Sequence, residues 1–314
     1  MSFRPDSPIE LPNGQLVCGA HGHVICGYCT VDYSFMEIED DELGQDDEEE
    51  SRQDDENEDD ANNDRAIAGV LALRPNSAGG FTDMSMMSIG NETRVGTGRV
   101  IPTKFCVPSG CDSPLSLFRP DIAPEAIPPT IRFTNPSKRS EFLIFTDGAC
   151  LNNGAANPRG GCAFVFHPRV ADRRGYSSFP LEDKGPTEQS HKHTSNRAEL
   201  RAVIAASRFR RWDGEGCRSL VFATDSEYVV EGATNWIHGW IRRGWKTSTG
   251  EPVKNKDLWQ CLLGECERWA DNGVTISFWR IPRELNTEAD RWAKDAAAEG
   301  EQRAVFTEIQ GVLV

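Results

Sequence analysis

Four acids stand out by the company they keep. Asp147 closes an apolar run, EFLIFTD, just before Gly148, and Asp225 follows a second run, SLVFAT. Glu199 stands near the start of an amphipathic stretch between them, and Asp290 lies in the first turns of another at 286–298. Taken singly, each acid reads most simply as a helix cap or a solvated side chain. Taken together, they sit where an open α/β sheet brings strand ends and helix starts to one edge, and ligands bind at that edge. Four ionised carboxylates there would repel one another, and some would stay protonated without cations. Two divalent ions would balance the charge, and an all-oxygen set suits Mg²⁺ or Mn²⁺, not zinc. Two such ions ~3.5–4 Å apart clamp the attacking and leaving oxygens of an in-line phosphodiester hydrolysis.

Several elements must hold these acids. The runs at 141–147, 162–168, 219–224 and 274–281 read as strands, with a further strand at 176–181. The 196–212 stretch places Leu200, Val203, Ile204 and Ser207 on one helical face. Helical stretches follow between 226 and 271 and at 286–298, where Asn286 suits the N-cap and Glu288 the first turn. Strands come first and then alternate with helices, which predicts an α/β domain with a mixed sheet.

The net charge of −15 argues at first against a nucleic-acid partner. Its location removes the objection. Residues 1–138 hold 25 acids and 10 bases, whereas residues 139–314 hold 24 of each. Positions 37–60 alone carry 16 acids and one base, a block expected to be disordered. Eight prolines over 101–136 predict an extended arm, since proline fixes φ and removes amide donors. The domain boundaries expected are a Cys/His segment at 1–35, an acidic then Pro-rich disordered or extended linker at 36–138, an α/β domain at 139–300 and a tail at 301–314.

Five blocks carry a resemblance: FTDGACLNNG (145–154), HTSNRAEL (193–200), LVFATDSEYV (220–229), TNWIHGWIRRGWKTSTGEPVKNKDLW (234–259) and FWRIPRELNTEADRWAK (278–294). In order and spacing they resemble a type 1 ribonuclease H domain, over about half the chain. The resemblance implies a ribonuclease H-like fold, with a five-stranded mixed sheet flanked by helices. It implies an endonuclease that cuts the RNA strand of RNA–DNA hybrids with two Mg²⁺ ions, Mn²⁺ being able to substitute, and leaves 5′-phosphate and 3′-hydroxyl ends. Asp147, Glu199, Asp225 and Asp290 match the family's catalytic, metal-binding acids. Cys150, Asn153, Ser195 and Asn196 match positions that contact RNA riboses, and Thr194 and Asn235 match a pocket for a DNA phosphate. Trp236, Trp240, Arg242, Arg243, Trp245 and Lys246 fall in the counterpart of a basic protrusion that grips the DNA strand. Basic groups there would neutralise phosphates and aromatic faces would pack on sugars or bases. Trp236 and Trp240 also stand at i, i+4, the spacing of a core-facing pair.

Two places depart from the pattern. Many relatives carry a histidine on the loop before the last helix, but here the link FWRIPRELN offers Arg280 and Arg283 instead. Arginine does not shuttle protons near neutral pH. His191 and His193, beside the start of the helix at 196, read as surface histidines.

The amino-terminal Cys18, His21, Cys26 and Cys29 form a C-x2-H-x4-C-x2-C run that would suit a structural tetrahedral zinc site. The alternative is small buried hydrophobes in a short docking segment, through which a protein partner would be recruited. No basic n-region and apolar h-region open the chain, and no apolar run is long enough to span a bilayer. The expectation is an intracellular monomer, nuclear or cytoplasmic, with no membrane partner. A catalytically weak hybrid-binding module is the alternative function, and a protein-interaction factor acting through the acidic tract is a third.

Overall fold

The computed structural model describes residues 94–111, 113–123, 125–154, 156–169 and 174–311. It also gives the backbone of four two-residue strands, Ile9–Glu10, Leu16–Val17, Ile25–Cys26 and Val31–Asp32. The acidic tract and the side chains of Cys18, His21, Cys26 and Cys29 lie outside the described residues.

One mixed sheet organises the domain. Its strands are β1 (Thr103–Lys104), β2 (Arg119–Ala123), β3 (Thr130–Asn135), β4 (Lys138–Leu151), β5 (Arg159–Val165), β6 (Tyr176–Pro180), β7 (Ser219–Thr224) and β8 (Thr275–Arg280). The order across the sheet is β6-β5-β4-β7-β8-β1, and β3 and β2 continue from the first half of β4. β4, β7, β8 and β1 run parallel, whereas β2, β3, β5 and β6 enter by antiparallel pairings. The helices are α1 (Pro114–Leu117), α2 (Ser195–Arg208), α3 (Glu227–Glu231), α4 (Ile237–Arg242), α5 (Lys256–Asp271) and α6 (Thr287–Glu299). A π-helical turn, Gly232–Trp236, joins α3 to α4.

Alternation along the central strands buries both faces of the sheet. Phe142 and Ile144 of β4 join Leu220 and Phe222 of β7 in a core with α2 and α5. Leu143 and Phe145 join Val221 and Ala223 on the other face, with Ala289 of α6, Phe118 and Trp279. No helix among the described residues is long and apolar enough to cross a membrane.

The sheet has eight strands, not the five expected, because the stretch preceding residue 138 contributes three. The segment assigned to a linker over 36–138 is, from residue 94 on, part of the folded domain. Proline explains how it can be both extended and paired. Pro120 lies in β2, which has β3 as its partner on one side, so its missing amide breaks no internal ladder. A further correction concerns Asp147. Its strand does not stop there but runs on to Leu151, paired with β5. What ends near Asp147 is the parallel pairing of β4 with β7, whose last partners are Phe145 and Ala223.

Candidate active site

Asp147 is 5% exposed, just beyond the last parallel pair of β4 and β7. Asp225 directly follows β7 at the same edge. Glu199 comes from the first turns of α2, held against β4 by a backbone contact that only glycine permits. A Cβ at Gly148 would lie 2.0 Å from the Glu199 amide nitrogen. Hence the glycine after Asp147 sets the distance between two acids. Asp290 comes from the first turns of α6, whose buried face is made of Ala289, Ala293, Ala296 and Ala297. Small residues on that face let the helix lie close to the sheet. The four acids thus come from β4, α2, the end of β7 and α6.

Their proximity shows in the electrostatics. Burial pushes the Asp147 carboxyl well above the usual range, and the charges of Asp225, Glu199 and Asp290 push it further. The other acids have partners of their own. The Ser226 hydroxyl donates to Glu199 while accepting from the Val229 amide as the cap of α3. Asn286 donates through Nδ2 to Asp225 Oδ1 at 2.7 Å and to the Thr146 carbonyl at 3.1 Å. Asn286 therefore does not cap α6 with its side chain, as its position predicts. The amide group turns inward, where a buried carbonyl and a half-buried carboxylate need a donor.

Two cations already lean on the cluster. Arg283 donates to Asp290 at 3.0 Å and lies 3.9 Å from Asp225, and Lys294 donates to the other oxygen of Asp290 at 2.7 Å. Among the described residues, no three His, Cys, Asp or Glu side chains are closed up as a ready ligand set. The fit to a divalent ion rests instead on donor chemistry. Only oxygen is offered, one carboxyl is buried among three others, and the neighbourhood recruits positive charge.

The ribonuclease H family model matches residues 139–298, which contain all four acids. The chain belongs to the ribonuclease H family. Ribonuclease H of Treponema pallidum subsp. pallidum is 34% identical over 166 residues, 50% of this chain and 95% of that protein. Human ribonuclease H1 is 31% identical over 188 residues, 59% of each chain. Ribonuclease H of an Enterobacter species is 42% identical over 119 residues, covering 38% of this chain and 65% of its own. The fold is ribonuclease H-like and the protein is a ribonuclease H enzyme.

The remaining candidates of this ribonuclease H fall into two groups. Cys150 and Asn153 sit at the end of β4 and in the turn after it, while Thr194, Ser195 and Asn196 form the start of α2. Thr194 is the N-cap, accepting from the Arg197 amide at 3.2 Å. Burial pushes the Cys150 thiol up to about 11, so it is a neutral group at physiological pH. Asn235, Arg242, Arg243 and Lys246 are exposed on the ridge formed by α3, α4 and the following turn.

One tryptophan of that ridge, Trp240, turns inward. Trp240 is 8% exposed and its ring lies 5.3 Å from that of Trp259 in the core, so it supports the ridge from beneath and offers no face to a substrate. Trp236 and Trp245 are half-buried and pack against the same core. The i, i+4 spacing was the sign of this inward face. His193 is also corrected, being buried and not at the surface. Its Nδ1 accepts from the Gly160 amide at 2.9 Å, and Nε2 lies 3.1 Å from Asp183. Glu227, beside Asp225, lies 3.0 Å from Arg280.

Sequence reasoning missed one positioning pair. Buried Arg197 of α2 makes two bonds to Asp257 of α5, at 3.0 and 2.7 Å, and a third to Asn255 at 3.1 Å. It ties the helix that carries Glu199 to the helix that follows the basic ridge. The only hint in the sequence was an arginine on the apolar side of a helix.

Proposed function

We propose that this ribonuclease H hydrolyses the RNA strand of RNA–DNA hybrids at the Asp147 cluster with two divalent ions, leaving 5′-phosphate and 3′-hydroxyl ends. The observation that carries the reading is one buried carboxyl, Asp147, within reach of the charges of three others. Asp147 would be shared between both ions, Asp290 would complete the holding of one, and Glu199 and Asp225 that of the other. Bound Mg²⁺ or Mn²⁺ would supply an activated nucleophile on one side of the phosphorus and charge neutralisation for the leaving oxygen on the other.

The chain's own residues orient that reaction. Asn286 and Ser226 fix the carboxylates of Asp225 and Glu199, so little rearrangement is left for the moment of catalysis. Cys150, Asn153, Ser195 and Asn196 lie along the edge where a ribose would pass, and a 2′-hydroxyl both donates and accepts. Thr194 accepts from Arg197 and keeps its own hydroxyl proton for a phosphate oxygen. Arg242, Arg243 and Lys246 present positive charge to the DNA strand.

The test is cleavage of an end-labelled RNA–DNA hybrid with Mg²⁺, beside double-stranded RNA and DNA. Wild type should cut only the RNA of the hybrid. Asp147→Asn keeps the shape and removes the charge, so cleavage should fall by at least ~10²-fold while hybrid binding persists. Wild-type cutting by that variant would sink the site assignment. A wild-type protein that bound hybrid but cut none with Mg²⁺ or Mn²⁺ would instead be a binding module.

A further inference from the structure

The segment from residue 94 to residue 105 lies outside the part of the chain that matches the family, yet it is built firmly into the domain. It begins as a strap across α5. The amides of Thr97, Gly98 and Arg99 all donate to Glu267 Oε1, at 2.8, 2.9 and 3.0 Å, and the Thr97 hydroxyl adds a fourth bond at 2.9 Å. Gly96 lets the two backbones touch, since a Cβ there would lie 2.2 Å from the Gly264 nitrogen. Val100 and Ile101 then pack on the core, and β1 adds a parallel strand to the free edge of β8. The Phe105 amide donates to the Phe278 carbonyl at 2.7 Å. Lys104 is therefore fixed in the backbone on both sides.

From this position the Lys104 side chain reaches over to α3. Its ammonium donates to Glu231 Oε1. The other oxygen of Glu231 accepts from Asn235 Nδ2 at 3.4 Å, one turn further along the same helical stretch. One carboxylate is thus shared by Lys104 and by the exposed Asn235 amide, whose position matches the family's pocket for a DNA phosphate. A carboxylate beside that phosphate would repel it, and it would draw the Asn235 amide away. The lysine opposes both effects, because an ion pair neutralises Glu231 and takes up one of its oxygens.

We propose that Lys104, supplied by a strand outside the family's own domain, is a positioning residue for the DNA-strand phosphate pocket, acting through Glu231 on Asn235. It screens a misplaced negative charge and weakens the hold of Glu231 on the amide that a phosphate would compete for. Glu231 in turn gives the strap a fixed point on the substrate-facing helix. This inference rests on the hybrid-ribonuclease reading above.

The test uses the full chain, a labelled RNA–DNA hybrid and Mg²⁺, with KM and kcat measured separately. Lys104→Ala should raise KM about 3- to 10-fold at low salt with kcat unchanged, the effect shrinking as salt screens the exposed charge. Lys104→Arg should restore the wild-type KM. In the Lys104→Ala background, Glu231→Gln should bring KM most of the way back, because the charge needing neutralisation is gone. Lys138→Ala, which removes an exposed lysine paired with Glu141 away from the ridge, is the control and should change neither constant. An unchanged KM in Lys104→Ala, or a raised KM that Glu231→Gln fails to rescue, would overturn the inference while leaving the ribonuclease reading intact. A melting temperature lowered equally in Lys104→Ala and Glu231→Gln, with KM unmoved, would make the pair merely structural. Failure of the wild type to cut hybrid would remove the ribonuclease reading and this inference with it.

Discussion

The acid cluster and the basic ridge lie in the same domain, but they are held in opposite ways. The acids are fixed by contact of backbone on backbone and by buried donors. Gly148 lets α2 touch β4, Asn286 pins Asp225, and Ser226 pins Glu199. The arginines of the ridge lean on their own turn. Arg242 donates to the His238 carbonyl at 3.3 Å and Arg243 to the Lys246 carbonyl at 3.1 Å. Cutting a phosphodiester needs carboxylates placed within fractions of an ångström, whereas attracting a polyanion needs only charge nearby. On the proposed reading, rigidity is found where geometry would decide the rate, and exposure is kept where charge would decide affinity.

Gly148→Ala should break the cluster most severely. Its Cβ would meet backbone that cannot yield, so α2 must shift and carry Glu199 with it. We expect hybrid cleavage to be lost and the unfolding midpoint in urea to fall by the equivalent of ~3 kcal/mol or more. A variant that keeps wild-type activity would show that α2 tolerates displacement.

Asp257→Asn tests the joint between the two regions. Burial alone would raise Asp257, but the bonds and charge of Arg197 outweigh it and hold the carboxyl below its ordinary 3.8. A depressed folded-state pKa contributes stability above the unfolded value, and that stability is lost as pH falls through the folded one. The substitution leaves Arg197 buried without its counter-charge, which should cost ~3–5 kcal/mol at neutral pH. The gap to wild type should narrow below about pH 3.8, as the wild-type carboxylate is itself protonated. A gap constant with pH in chemical denaturation would contradict the ion-pair account.

Asn286→Ala removes one donor from two acceptors, for about 1–3 kcal/mol of stability. Freed from its donor, Asp225 should also lower kcat, and more than KM changes. Equal loss in both constants would place Asn286 in substrate binding instead. Replacing Arg242 and Arg243 together by alanine should have the smallest effect on the fold. Hybrid affinity should weaken, and the salt dependence of binding should flatten by about one unit of slope per lost phosphate contact, with kcat unchanged. An unaltered slope would take the ridge out of the DNA contact.

Much of the site was legible because its signals are local. A carboxylate at the end of an apolar run and another in the first helical turns can be read within a short window of sequence. The composition of 236–256 was equally plain, but composition does not say which side of a helix faces in. Trp240 has the residue type of a nucleic-acid contact and the position of a core residue, and packing against Trp259 decides between them. His193 looked exposed among polar neighbours, yet the Gly160 amide it accepts from lies on a strand 33 residues earlier.

By itself, then, the sequence determined the family, four candidate acids, the order of the elements that carry them and the separation of negative leader from neutral nuclease. The family follows from five motif blocks in their order and spacing, and the rest from residue type and short-range periodicity. The tertiary structure alone decided that the chain before residue 138 adds three strands to the sheet, that Asn286 serves Asp225 and not its own helix, and that Arg283 and Lys294 lean on Asp290. Each of these turns on which unsatisfied donor finds which acceptor after distant segments have packed. That choice belongs to the folded geometry, since a buried polar group takes the partner that the fold delivers to it.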